Sequence, residues 1–121
     1  MIDALLVASL GAFGVLTRYF IDGLFNIQKD AFPLSTFSIN MIGCTLLGFL
    51  SVFFIGKSSS LNLALTVGFC GGFTTFSTFT FQILQLFNSD QALKAISYLL
   101  LSLVLGLLCC FLGIKLAKLL S

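Results

Sequence analysis

The stretch Gly71-Gly72-Phe73-Thr74-Thr75-Phe76-Ser77-Thr78-Phe79 decides how this chain is read. It lies in the middle of residues 58–89, a run with no charged side chain and long enough to cross a bilayer. Its two adjacent glycines and four hydroxyl residues are poor material for a plain spanning helix. Each glycine costs about 1 kcal/mol against alanine in a helix. Backbone that unwinds at membrane depth is tolerated only where protein or a wet cavity surrounds it. The stretch therefore predicts an interrupted spanning helix, with carbonyls and hydroxyls offered to an ion.

The rest of the chain is greasy. Of its 121 residues, 59% are hydrophobic and only 8% charged, where a soluble domain carries about a quarter. Mean hydropathy is +1.16. These values predict an all-α integral membrane protein, one domain over residues 1–121. Its length suits four transmembrane helices of roughly 20 residues each. Apolar runs place them at about 4–25, 33–55, 61–87 and 92–119, with the third interrupted over 71–75. Polar breaks at 26–30 and 56–60 separate the first three, and Asn88-Ser89-Asp90-Gln91 is a turn with Asp90 near a helix start. Pro33 suits the first turn of the second helix, where its missing N–H costs nothing. Met1-Ile2-Asp3 has no basic region before the first apolar run, so that run reads as a retained helix rather than a signal peptide.

Several function classes are disfavoured. The net charge of +2 comes with no basic patch, so no nucleic-acid partner is expected. There is no histidine and no glutamate, and no nucleophile–base pair or phosphate loop, so the chain does not read as an enzyme. Cys44, Cys70, Cys109 and Cys110 lie in apolar runs and read as small packing residues rather than a disulfide or metal site.

An even number of spans puts both ends on one side of the membrane, with Lys57, Lys115 and Lys118. Lys29 and Lys94, with Arg18 near that end of helix one, fall on the other. Orientation follows an excess of Lys and Arg in cytoplasmic loops, and here the two sides balance. The balance predicts insertion both ways round and an antiparallel homodimer with its two-fold axis in the membrane plane. The alternative is that folding or one terminal charge fixes a single orientation. Gly11, Gly14, Gly43, Gly48, Gly68 and Gly106 permit close helix contact, within or between subunits.

The remaining polar residues form candidate tracks. Arg18 and Asp22 are four apart on one helix face, so Arg18 reads either as an anion-gathering vestibule charge or as a snorkelling residue paired with Asp22. Thr36 and Asn40 share a face of helix two and offer a hydroxyl and an amide, although asparagine also glues helices together. Tyr98, Ser102 and Gly106 make a stripe on helix four; a serine bonding its own helix is the plain alternative for Ser102. Phe76 and Phe79 are three apart, flanked by hydroxyls. Such rings usually meet lipid or core, but their positive edges beside N–H and O–H donors suit a small dehydrated anion.

The whole chain resembles the Fluc/CrcB family of bacterial fluoride channels. The resemblance is carried by the segment from Gly68 through the opening stretch to Phe79, by Gly11-Ala12-Phe13-Gly14-Val15-Leu16-Thr17-Arg18-Tyr19, and by Asn40-Met41-Ile42-Gly43. It implies an antiparallel dual-topology homodimer in the bacterial inner membrane with two fluoride pores, serving passive fluoride efflux. It implies that Phe76 and Phe79 line the path, with Asn40 as donor and Arg18 in the vestibule. Thr36, Tyr98 and Ser102 fit the polar track of that family, in which Gly106 takes a place where relatives carry serine. Gly71 and Thr74 match positions whose backbone carbonyls hold a structural sodium ion at the dimer interface. Two other readings compete. A small multidrug-type proton-coupled exporter needs a membrane-embedded carboxylate, whereas Asp3 and Asp22 lie toward helix ends. A non-transporting assembly subunit would not need a hydroxyl-rich interrupted helix.

Overall fold

The apolar runs fold as helices in the computed structural model, which describes residues 1–25 and 31–121. Every element among the described residues is helical: α1 (Ile2–Leu24), α2 (Leu34–Phe53), α3 (Ser59–Leu63), a π-helical run (Ala64–Cys70), α4 (Gly71–Phe73), α5 (Phe76–Asn88) and α6 (Ala92–Leu120). Four stretches are long and apolar enough to span a membrane, Ile2–Leu24, Leu34–Phe53, Ser59–Asn88 and Ala92–Leu120. The polar break expected at 26–30, with Lys29, lies outside the described residues.

Helix ends are set by local chemistry. Pro33 stands just before α2 with ψ 67°, so the helix begins one residue later than the sequence suggests. The Ser58 hydroxyl accepts from the Leu61 N–H at 3.3 Å and caps α3. Asp90 stands two residues before the start of α6. It adopts a left-handed φ of 57° after α5, and its N–H donates to Phe87 C=O while the Gln91 N–H donates to Leu86 C=O. That pair of bonds closes the C-terminus of α5, and α6 starts only at Ala92.

The third span carries the main departure from expectation. Its glycines do not break it: Gly71 has helical φ −64° and ψ −38°. Only Thr74 (φ −83°, ψ 161°) and Thr75 (φ −148°, ψ 117°) leave helical geometry. The reason is capping. The Thr75 hydroxyl accepts from the Thr78 N–H at 3.2 Å and starts α5 afresh. The π-helical run ahead of the break has no signal in the sequence.

The glycines serve contact instead. A Cβ on Gly72 would stand 2.3 Å from the Gly11 carbonyl oxygen, and one on Gly68 would stand 2.6 Å from that of Val7. These pairs advance together, so α1 and the first half of the third span run parallel with their backbones touching. Gly48 against Cys110 and Gly106 against Cys44 make the same parallel arrangement between α2 and α6. The buried cluster of Phe79, Leu86, Ala95 and Tyr98 then fastens α5 to α6, with Phe37 of α2 packed on it. Gly72→Ala should force α1 off the third span and cost about 1–3 kcal/mol of overpacking. A lower thermal midpoint in detergent checks this, with Gly23→Ala, whose Cβ meets nothing within 4 Å, leaving the midpoint unlowered. An unshifted midpoint for Gly72→Ala contradicts it.

Candidate functional site

Breaking a helix leaves peptide groups without partners, and in an apolar setting each costs several kcal/mol. Two neighbouring helices meet that cost. From α2, the Asn40 Oδ1 accepts the Thr75 N–H at 2.9 Å, and the Asn40 Nδ2 donates to the Thr75 carbonyl at 3.1 Å. One amide side chain thus pairs with both faces of a single residue, as a neighbouring strand would. From α1, the Arg18 Nη1 donates to the Thr74 carbonyl at 3.3 Å. The Thr74 N–H and Oγ1 both still donate to Cys70 C=O. The Gly71 carbonyl loses its ordinary donor, because the Thr75 N–H four residues on has turned to Asn40.

Arg18 therefore does not spend itself on Asp22. Asp22 instead accepts a short hydrogen bond from the Ser35 hydroxyl, tying the end of α1 to the start of α2. Spacing left Asp22 as one of two readings for Arg18; the long guanidinium stem reaches the broken backbone instead.

A second polar chain lies behind the rings. The Tyr98 O–H donates to Gln82 Oε1 at 3.0 Å, and Gln82 Nε2 donates to the Thr36 hydroxyl at 2.9 Å. Tyr98 and Thr36 are buried. Gln82 joins them, and the sequence reading missed it. The available signal was an amide three residues after Phe79 in a run without charge. Phe79 is buried and meets the Tyr98 ring edge-on at 5.0 Å. Phe76 is 75% exposed, its ring 5.9 Å from that of Phe79.

One cavity of about 330 Å³ gathers most of these groups: Asn40, Gly71, Thr74, Phe76, Phe79 and Ser102 all line it. Arg18, Thr36 and Tyr98 do not; Arg18 holds Thr74 and Tyr98 packs on Phe79, both of which do, while Thr36 bonds Gln82 behind them. The Ser102 hydroxyl oxygen is buried and has no hydrogen-bond partner among the described residues, so it does not bond its own helix. Asn40 carries two amide hydrogens, and one is committed to Thr75. The cavity thus offers N–H and O–H donors beside the rings of Phe76 and Phe79, at the positive N-terminus of α5. It suits a small anion.

A small four-span membrane protein with a donor-lined cavity at a helix break belongs among ion-conducting proteins by its physics. Residues 5–114 match the family model described as CrcB-like protein, Camphor Resistance (CrcB). Over 117 residues the chain is 44% identical to "Fluoride-specific ion channel FluC 2" of Bacillus cereus, covering 96% of this chain and 98% of that protein. It is 38% identical over 120 residues to "Fluoride-specific ion channel FluC" of Chlorobium phaeobacteroides, covering 96% and 94%. It is 39% identical over 116 residues to the protein of that name in Citrifermentans bemidjiense, covering 93% and 94%. The chain belongs to the CrcB family, and it is a multi-pass membrane protein.

Asn40→Asp tests the pairing at the break. An ionised carboxylate keeps the acceptor for the Thr75 N–H but sets an oxygen against the Thr75 carbonyl. We expect a loss of about 1–3 kcal/mol, read as a lower thermal midpoint at a pH where the new side chain is charged. An unaltered midpoint contradicts the pairing.

Proposed function

We propose that this chain is a fluoride-selective ion channel that lets fluoride leave the cell passively and so protects it from fluoride toxicity. The observation that carries the reading is the cavity itself, which the rings of Phe76 and Phe79 line together with Asn40, one of whose amide hydrogens has no acceptor among the described residues, and with the unpartnered Ser102 hydroxyl. Fluoride is small and holds its water tightly. A pore must supply substitutes for that shell as it is shed, as carbonyls do for potassium. Here an amide and a hydroxyl donate hydrogen bonds, and ring edges add a weaker attraction that does not trap the ion. Thr36 accepts from Gln82 behind the cavity, while Tyr98 buttresses Phe79. Arg18 places a positive charge on the approach to the break. Chloride, which is larger and holds its water less tightly, gains less from such donors. A negative-inside potential drives efflux with about 2.3 kcal/mol per charge per 100 mV, so no coupled acid is needed.

The path is completed by a second copy in an antiparallel, dual-topology homodimer. Phe76 is exposed, and a Cβ on Gly71 would meet nothing within 4 Å, so this edge of the break is open to a partner. Thr74 and Thr75 fall near the middle of the span Ser59–Asn88, which supports a break at mid-membrane. The charge balance of the sequence supports insertion both ways round, with Arg18, Lys29 and Lys94 assigned by their order in the chain to one side and Lys57, Lys115 and Lys118 to the other.

The break also suits a structural sodium ion. The Gly71 carbonyl is left without its helical donor, and the Thr74 carbonyl has a second lone pair beyond the one facing Arg18. These are hard oxygens of the kind alkali cations take. One chain offers two, so the pair in a second copy would complete the set. When bound, such an ion supplies a fixed positive charge beside the anion path. The multidrug-exporter reading is not favoured: it needs a membrane-embedded carboxylate, and Asp22 is tied to Ser35 near the end of α1.

Fluoride efflux from liposomes containing the pure protein tests the proposal. The wild type should empty fluoride-loaded vesicles, and Phe76→Ile, which removes a ring edge, should slow this markedly. Absence of flux rejects the channel, and proton-driven drug exchange would favour the exporter. Gly71→Val should weaken the dimer on size exclusion while the chain still folds. An intact dimer of that variant contradicts the placing of the interface.

A further inference from the structure

Arg18 turns inward to the Thr74 carbonyl, but three lysines at the other end of the bundle do not. Lys57, Lys115 and Lys118 are exposed, and none of the three has a carboxylate partner among the described residues. Aromatic rings hold two of them. The Lys57 Nζ sits 3.5 Å from the centroid of the Phe53 ring, and the Lys115 Nζ 5.3 Å from that of Phe111. The ring beneath Lys57 is itself fixed, since Phe53 stacks on Phe49 at 5.0 Å. The turn that carries Lys57 back over it is set by Gly56, with a left-handed φ of 76°, and by the Lys57 N–H donating to Phe54 C=O at 3.1 Å. The parallel run of α2 and α6 puts these groups at one level. A Cβ on Gly113 would stand 2.9 Å from the Phe49 backbone nitrogen, so one turn further brings Phe53 beside Ala117, which is fully buried. Lys118 follows Ala117 directly and shares a helix face with Lys115 three residues before it. Asp3, the acid that chain order puts at this end, starts α1, which packs on the first half of the third span.

We propose that this end of the α2–α6 pair, with Lys57, Lys115 and Lys118, is a docking surface for the headgroup of an anionic phospholipid. A ring takes an ammonium group on one side and leaves its other N–H groups free to donate. A phosphodiester brings acceptor oxygens and the negative charge that no carboxylate supplies here. The surroundings fit a lipid. The ends of spanning helices lie at headgroup level, and the chain has no tryptophan to anchor it there. Phe111, Leu112 and Leu119 are exposed next to the lysines of α6 and give acyl tails an apolar surface. Each lysine near an anionic bilayer surface strengthens binding by about fivefold, so three together give about a hundredfold. Headgroup binding does not depend on which ion crosses the cavity.

The test uses the full-length protein in neutral detergent, titrated with phosphatidylglycerol or with phosphatidylcholine of the same acyl chains. Bound lipid is counted by native mass spectrometry, and the thermal midpoint is read in parallel. Wild type should retain phosphatidylglycerol in preference to phosphatidylcholine, and its midpoint should rise with phosphatidylglycerol. Salt at about 1 M should weaken that preference. Lys57→Gln, Lys115→Gln and Lys118→Gln should each raise the half-saturating fraction of phosphatidylglycerol by about fivefold, and a chain carrying all three should bind the two lipids alike. Lys94→Gln, which chain order places at the opposite end, should bind as wild type does. Equal retention of the two lipids by wild type, or an undiminished preference in the triple variant, overturns the surface. A preference lost in Lys94→Gln but kept in the triple variant moves the lipid to the other end and overturns it as well. Inorganic phosphate that raises the midpoint as much as phosphatidylglycerol does overturns the lipid as its occupant.

Discussion

The structure depends on how two peptide groups are satisfied where the third span stops being helical. Thr75 has its N–H and its C=O both engaged by one asparagine side chain from α2. Thr74 has its carbonyl held by a guanidinium from α1. Without those partners the extended residues would leave bare backbone in an apolar setting, and a continuous helix would be favoured. With them, the break is stable, the Gly71 carbonyl is freed, and a new helix begins at Phe76 with its positive end facing the cavity.

Everything around the break serves its placement. The touching backbones at Gly11–Gly72 and Val7–Gly68 bring α1 near enough for Arg18 to reach Thr74. Contact of Gly48 with Cys110 locks α2 to α6, which sets Asn40 and Ser102 around one cavity. The Tyr98–Gln82–Thr36 chain ties α6, α5 and α2 together behind Phe79. Packing by small residues and the polar site are two aspects of one geometry, because only close helices let short side chains span the gap.

The sequence made the coarse outline legible. Four long apolar runs could be little else than spanning helices, and a glycine–threonine cluster in the third marked the place of the break. Asn40, Gly71, Thr74, Phe76, Phe79 and Ser102 meet at one cavity, because helical spacing and an odd polar residue in grease are strong signals. The finer details were not legible. Glycine looked like the breaker, yet Gly71 and Gly72 both stay helical, Gly72 pressed against α1, and it is the hydroxyl cap of Thr75 that starts the new helix. Arg18 finds a carbonyl 56 residues away rather than Asp22 four residues on, a choice set by tertiary packing. Gln82 was hidden because an amide in an apolar run does not announce its partners.

An anion that sheds its water needs donors that are present but not surrendered to other bonds, and Asn40 and Ser102 meet that condition. The reversal potential of the reconstituted protein in a planar bilayer, under a fluoride gradient with symmetrical chloride, tests this most directly. Current should reverse at the fluoride equilibrium potential and stay there when a pH gradient is imposed. Reversal at zero, or one that follows chloride or protons, would contradict it.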